Sequence, residues 1–549
     1  MKRIISLVLA VIMVLGVATA FAATVTNATT HTYDVYQVFS GTQAESGSEL
    51  GDIEWGEGIN SSAFLSALKA DARFNVTKTV DEIETTENAF KNSTTAKDVA
   101  EVLGDYSDDS SFAKAFANVA DQNKSSTKTA SVTGNAVTPD LTAGYYLFVD
   151  TQKIGADGND ALNTALLQIT NKSTGLEIKK KYDVPSLDKD ITKVNDTEVE
   201  IEATDANIGD TVEYSLKGTL PENFDDYETY KYIFHDTLSK GQAIAAGAIK
   251  VYLVNGTTET DVTEKFTITP DTAVDGTAET TTITVANNNI KGGTTALAGV
   301  TATSKIVVKY TVTITKDAVV GSAGNPNKAK LEYSNNPNGT GDGTTNTPED
   351  TVVVFTYELD STKVDNDDTT VKLAGAQFVL KATSGDHANK WVQIDVATGK
   401  ITGWLDTEPT SLATIPTEGN TGVLVSADST GLFKVIGLDA GTYELKEIKA
   451  PQGYNLPANN TTTINITATI KGSETETHDD VTPELEELKL NNVVGNKTTG
   501  ILTEEITNDK GTTLPSTGGI GTTIFYVLGS VMALGALVLL VTKRRVNVQ

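Results

Sequence analysis

The chain has 549 residues and no cysteine, and its 43 Lys+Arg against 72 Asp+Glu leave a formal net charge of −29 at pH 7. The acids are spread along the chain rather than gathered in a tail, which argues against a nucleic-acid partner and describes a soluble, self-repelling surface. Without cysteine an exported protein has no disulfide framework, so its stability must come from another source.

Length alone suggests three or four domains. Residues 1–22 read as a secretory signal peptide: Met1-Lys2-Arg3 is basic, Ile4 to Val17 is apolar, and Ala20-Phe21-Ala22 is a small-x-small cleavage signature. The first module is expected over 23–182. It opens with the alternating strand pattern Tyr33 to Phe39 and continues with short amphipathic helices at Ala63–Ala70, Ala96–Leu103 and Ser111–Val119. It closes with strands at Gly144–Val149 and Leu166–Ile169. The second module is expected over 183–350, with its clearest strands at Thr211–Leu216 and Ser304–Val312. The Asn-, Gly-, Pro- and Thr-rich segment Asn335–Glu349 ends it as a linker. The third is expected over 351–510, with strands at Val352–Tyr357, Ala376–Leu380 and Leu432–Val435 and only a weak strand signal in Thr462–Asp480. Thr and Val favour strands while Asn, Asp and Gly favour turns. The fold class is therefore mainly β: tandem immunoglobulin-like sandwiches, the first with some helix.

Residues 511–549 hold Leu514-Pro515-Ser516-Thr517-Gly518, the apolar stretch Ile520–Val541 and Lys543-Arg544-Arg545. The apolar stretch matches the roughly 20 residues a membrane-crossing helix needs, and the basic cluster would hold its end on the cytoplasmic side. This order resembles the cell-wall sorting signal of Gram-positive surface proteins. The resemblance implies that a sortase cuts between Thr517 and Gly518 and passes the Thr517 carbonyl to an amine.

Enzyme chemistry finds little support. The histidines His31, His235, His387 and His478 are far apart in sequence and none sits in a metal-ligand spacing. There is no Gly-x-Ser-x-Gly and no Gly-rich phosphate loop. No cofactor or metal is expected. The run Asp365-Asn366-Asp367-Asp368 lacks the Gly and closing Glu of a calcium loop and reads as a solvated turn.

In the third module, Thr362-Lys363-Val364-Asp365, the segment from Tyr443-Glu444-Leu445-Lys446-Glu447 to Gly453-Tyr454, and Ile506-Thr507-Asn508 occur in that order. They resemble the B-type repeat of collagen-binding surface proteins, also the last domain of Gram-positive pilins. By that resemblance Lys363 and Asn508 join spontaneously as an amide with loss of ammonia, and Glu447 assists. Burial favours a neutral lysine amine and a protonated carboxyl, and the protonated acid would polarise the Asn carbonyl.

In the second module, Leu187-Asp188-Lys189, Phe234-His235-Asp236 and Gly324-Asn325-Pro326-Asn327 are similar to the second domain of backbone pilins. This implies a bond from Lys189 to an Asn on the last strand, with Asp236 as helper. Asn327 and Asn335 are both open, and a parallel arrangement of first and last strands favours Asn327. Each bond would close a loop of about 140 residues, restricting the unfolded chain by about 5 kcal/mol if it acts as a disulfide does.

At the first joint, Lys179-Lys180-Lys181-Tyr182 stands where backbone pilins carry Tyr-Pro-Lys-Asn, but with no Pro before the lysine and Tyr182 in place of the Asn. Alignment on Pro185 and Lys189 puts the acceptor lysine at Lys181, with Lys179 and Lys180 as alternatives. The whole resemblance is to sortase-assembled major pilins. It implies a shaft subunit of a covalent pilus on the cell wall, supporting adhesion. The implied partners are pilus-specific and housekeeping sortases, further copies of the chain, minor pilins and peptidoglycan. A wall-anchored adhesin that is not polymerised is the alternative, and it needs only Thr517.

Overall fold

The structure is a computed structural model and describes every residue except 1–24, 44–48, 81–82, 109, 171–172, 174–175, 338–342, 415, 428, 475–480, 512–519 and 547–549. The expected signal peptide and Leu514 to Gly518 lie outside the described residues.

The first module is a six-stranded sheet covered by helices rather than by a second large sheet. Alternation places Tyr33–Gln43 at its centre, antiparallel to Gly144–Asp150 with Tyr36 opposite Leu147. Helix Ser111–Gln122, capped by Ser110, buries Phe112, Phe116, Val119 and Ala120. Phe116 lies 5.2 Å from Phe64 of helix Ser61–Ala70 and 6.1 Å from Phe39 of the central strand. Helix Ala96–Leu103 starts in a capping box of Thr95 and Asp98. The polar hairpin Asn75–Val80/Ile83–Asn88 is an addition that the alternation of apolar residues does not mark. Thr26–Asn27 pairs in parallel with Glu177–Ile178, so the start of the module is tied to its exit.

The second module is a sandwich of two seven-stranded sheets. Leu187–Val194, Thr211–Gly218 and Lys305–Ile314 lie side by side in one, and Tyr232–Ser239 and Asn325–Ser334 in the other. The expected linker contributes a short strand, Thr344–Asn346, to the second sheet. The expected single strand Val352–Tyr357 is two. Asp350–Phe355 pairs with Asn325–Ser334 in the second sandwich, whereas Tyr357–Asp365 opens the third. The chain therefore changes sandwiches at Thr356, a residue that is fully buried and bonds the Leu438 carbonyl.

In the third module a three-stranded sheet faces one of nine strands. Tyr357–Asp365 is the middle strand of the smaller sheet and pairs in parallel with the last strand, Ile501–Asn508. Thr461–Lys471 is a full strand pairing on both sides, because Ile464 and Ile466 face inward while the alternating threonines face out. Past the sandwich, helix Ile520–Val546 contains the apolar span Gly521–Arg544, long enough to cross a bilayer. Its Phe525, Val531 and Leu537 are exposed, as side chains facing lipid would be.

The second and third modules share one continuous apolar core, from Ile191 and Tyr214 through Val354 and Tyr357 to Leu445 and Leu502. Their joint is also polar. Ile208 N–H donates to the Gly437 carbonyl and Ala440 N–H to Asp205 Oδ2. His387 Nε2 sits 2.6 Å from Asp210 Oδ1. Burial, then the charges of Asp205 and Asp210, push the Asp439 carboxyl up to about 7. A carboxyl raised in the folded state stabilises it fully below pH ~4 and loses that contribution as pH rises through ~7. Denaturant unfolding of the native chain should therefore lose about 1–3 kcal/mol between pH 4.5 and 7.5 that Asp439→Asn does not lose. Parallel pH profiles for the two proteins would refute the assignment.

Candidate functional site

Each of the two C-terminal sandwiches holds a set of buried polar residues in its core, and polar groups are buried only when they find partners. In the third module the parallel register puts Lys363 opposite Ile506 and Asp365 opposite Asn508. Lys363 Nζ, with no solvent exposure, donates to Asn508 Oδ1 at 2.7 Å and to the Ile506 carbonyl at 3.1 Å. Asn508 Nδ2 donates to Glu447 Oε1 at 2.8 Å, and Glu447 Oε2 is 3.6 Å from Lys363 Nζ. Burial pushes the Lys363 amine down to about 8 against the pull of Glu447, so roughly a tenth of it is neutral at pH 7. Burial pushes the Glu447 carboxyl up, opposed by Lys363. The carboxyl therefore faces the amide nitrogen and the lysine faces the amide oxygen, the reverse of the expected polarisation of the carbonyl. A half-turn of the amide about Cβ–Cγ exchanges the two.

In the second module the strands of Lys189 and Asn327 do not pair: they lie in opposite sheets and meet across the core. Lys189 Nζ donates to Asp236 Oδ1 at 2.9 Å with both side chains buried, and burial lowers its pKa. It also lies 5.2 Å from the Tyr214 ring and 5.7 Å from the Tyr310 ring. No hydrogen bond joins Asp236 to Asn327 among the described residues. Tyr310 stands between them, its hydroxyl donating to Asp236 Oδ2 and accepting from Asn327 Nδ2 at 2.7 Å. Asn335 makes no hydrogen bond to Lys189, Asp236 or Tyr310 among the described residues; its backbone instead bonds Leu162 and Gly343. The nearby Asn325 braces a turn, with its side chain bonded to Val319 and Val354 backbone. Tyr310 is the residue that the sequence reading missed. Nothing in its strand, Lys305–Ile314, sets it apart from any other inward-facing aromatic.

Asp365 departs from the solvated-turn reading. It is 2 % exposed, accepts from the Tyr454 hydroxyl at 2.7 Å and lies 3.2 Å from Lys510 Nζ.

At the first joint, Asn163 holds the lysine segment by its backbone. Its Nδ2 donates to the Lys179 carbonyl at 3.0 Å and to Tyr33 Oη at 3.2 Å, and its Oδ1 accepts from Lys181 N–H at 3.0 Å. Tyr182 is buried and stacks on His31 at 5.7 Å, and His31 sits between Asp150 at 2.6 Å and Asp160 at 2.8 Å. Lys179 and Lys180 are exposed, with Lys180 Nζ 4.6 Å from the Tyr182 ring centre. Lys181 is half-buried and lines a groove of about 300 Å³ together with Lys114, Tyr145 and Asp226.

Residues 506–548 match the LPXTG cell wall anchor motif, and residues 358–480 match the SpaA-type prealbumin-like fold domain. The trypsin-resistant surface T6 protein of Streptococcus pyogenes serotype M6 is 26 % identical over 459 residues, which cover 71 % of this chain and 75 % of that one. The chain is similar to a streptococcal surface protein and carries a cell wall anchor motif. The solved structure of the T6 backbone pilin of serotype M6 S. pyogenes, described as a modular three-domain protein, has the same fold. Its TM-score is 0.51 at 18 % identity over 89 % of this chain and 98 % of that one. The chain is thus a secreted surface protein anchored to the cell wall by its C-terminal motif.

Asn163→Ala removes the side chain that fixes the lysine segment. Losing hydrogen bonds worth about 1.4 kcal/mol should raise local opening about tenfold. Limited trypsin digestion should then cut at Lys179–Lys181 about ten times faster, with the second and third modules surviving as one fragment. An unchanged cutting rate would show that the segment is held by other contacts.

Proposed function

We propose that this chain is a backbone pilin polymerised through Lys181 and stiffened by two internal Lys–Asn amides, Lys189–Asn327 and Lys363–Asn508. The observation that carries the reading is the third-module set: a fully buried lysine 2.7 Å from the amide of an asparagine 145 residues away, with a carboxyl touching both. In each bond the neutral lysine amine attacks Cγ of the asparagine. The C–Nδ2 bond breaks and ammonia leaves. The helper acid, Glu447 or Asp236, collects the lysine proton and returns one to the departing nitrogen. The parallel register supports this reading by holding Lys363 Nζ 2.7 Å from the Asn508 amide oxygen.

For assembly, a pilus sortase cleaves between Thr517 and Gly518 and transfers the Thr517 carbonyl to Lys181 of the next copy. A housekeeping sortase finally transfers the last copy to peptidoglycan. Leu514, Pro515 and Ser516 complete the motif, and minor pilins join the same polymer. The placement of Lys181 supports it over Lys179 and Lys180: it alone of the three lines the groove between the first two modules. The chain supplies no enzyme activity beyond forming its own amides. A non-polymerised adhesin would use the same anchor but would not use Lys181 as an acceptor.

Lys181→Ala should abolish the ladder of heavy species in immunoblots of wall extracts while leaving an anchored monomer. A full ladder would transfer the role to Lys179 or Lys180, and a single band from the native chain would favour the adhesin. Separately, Glu447→Ala should reduce the shortfall between intact mass and sequence mass by one ammonia. It should also lower the stability of the third module by about 5 kcal/mol, the loop-closure contribution of such a cross-link. An undiminished shortfall would remove Glu447 from the reaction.

A further inference from the structure

We propose that Tyr310 is a catalytic residue of the second module, a proton relay between Asp236 and the Asn327 amide. The inference rests on the Lys189–Asn327 bond proposed above and adds a participant to it.

The two modules solve the same geometric problem differently. In the third, the acid is a glutamate, and its carboxyl contacts the asparagine nitrogen directly at 2.8 Å. In the second, the acid is an aspartate, one methylene shorter, and among the described residues it hydrogen-bonds the lysine but not the asparagine. The gap is filled by the Tyr310 hydroxyl, hydrogen-bonded to Asp236 Oδ2 on one side and to Asn327 Nδ2 on the other. Lys189, Asp236, Asn327 and Tyr214 around it are all buried, so no bulk water reaches the departing nitrogen. The Asn327 Oδ1 has no hydrogen-bond partner among the described residues. Among the described residues, the polar route from the acid to the leaving group therefore runs through the phenol.

The protons balance along this route. In the neutral form of the pair, Lys189 carries –NH₂ and Asp236 carries –COOH. Nζ attacks Asn327 Cγ to form the new C–N bond. As the C–Nδ2 bond breaks, the Tyr310 hydroxyl proton passes to Nδ2, completing ammonia. Tyr310 Oη takes the proton from Asp236 Oδ2, and Asp236 Oδ1, 2.9 Å from Nζ, takes the surplus proton of the new amide nitrogen. Tyr310 and Asp236 both end as they began. One N–C bond has formed, one has broken, and the only product released is ammonia.

The test uses the full chain and peptide mapping of the Lys189–Asn327 linkage, with the Lys363–Asn508 linkage and circular dichroism reporting that the protein has folded. Tyr310→Phe keeps the ring and deletes the relay, so the second-module linkage should fall from near complete to about a tenth or less, in keeping with the loss of a positioned acid–base group. The double variant Asp236→Glu with Tyr310→Phe lengthens the acid, as in the third module, and should restore the linkage. Full linkage in Tyr310→Phe would overturn the relay. So would a double variant no better linked than Tyr310→Phe, because Tyr310 would then act by packing. A native chain with no Lys189–Asn327 linkage would instead overturn the underlying bond, a result distinct from either.

Discussion

A lysine amine and a carboxyl buried side by side, facing an asparagine amide, are the constraint around which both C-terminal sandwiches are arranged. Placing an ion pair in an apolar interior costs several kcal/mol per ion unless the geometry is excellent, and replacing such a pair with apolar residues is often neutral or stabilising. Burial moves Lys363 toward its neutral form and Glu447 toward its protonated form. That shift makes the lysine a nucleophile, so the expense of burial becomes the driving condition for a covalent tie. In a chain with no cysteine this is a route to cross-linking that needs no oxidant.

The two proposed ties would differ in mechanical meaning. In the third module the strands of Lys363 and Asn508 are parallel neighbours in one sheet, so with the tie formed tension entering at Tyr357 and leaving after Asn508 would cross from Lys363 directly to Asn508. In the second, Lys189 and Asn327 sit in opposite sheets, and the tie would staple the sandwich through its core. The apolar core runs unbroken from the second module into the third, and the chain changes sandwiches at the buried Thr356, so the two pack as one body. The first module, with its helices and separate cores, continues into the lysine segment that Asn163 holds and also bonds the second module directly, as Lys114 does to Asp226 and Lys330 to Asp157. Lys181, the proposed acceptor, lies at this joint, held by its backbone and lining the groove between the two modules.

Much of this was legible in the residues. Period-two alternation located Tyr33–Gln43 and Thr211–Gly218 because each has one face buried. Lys363, Glu447 and Asn508 were legible because the motifs around them occur in family order. Less legible were features fixed only in three dimensions. Nothing local distinguishes Thr356 from its strand neighbours, so the crossing between sandwiches was hidden in what reads as one strand. Thr461–Lys471 looked weak because its outward positions are threonines rather than charges. Asp365 looked like part of a solvated acidic run, yet Tyr454 and Lys510 cover it. Tyr310 acquires its position from three strands that are distant in sequence.

The central claim is that Lys189 is covalently joined to Asn327 and Lys363 to Asn508. Its most direct test is tandem mass spectrometry of proteolytic fragments from the purified native chain. The account predicts two branched peptides, one joining the Lys189 segment to the Asn327 segment and the other joining Lys363 to Asn508. Each should be lighter by one ammonia than the sum of its parts. Linear peptides bearing free Lys189 and Lys363 with intact Asn327 and Asn508 would contradict it.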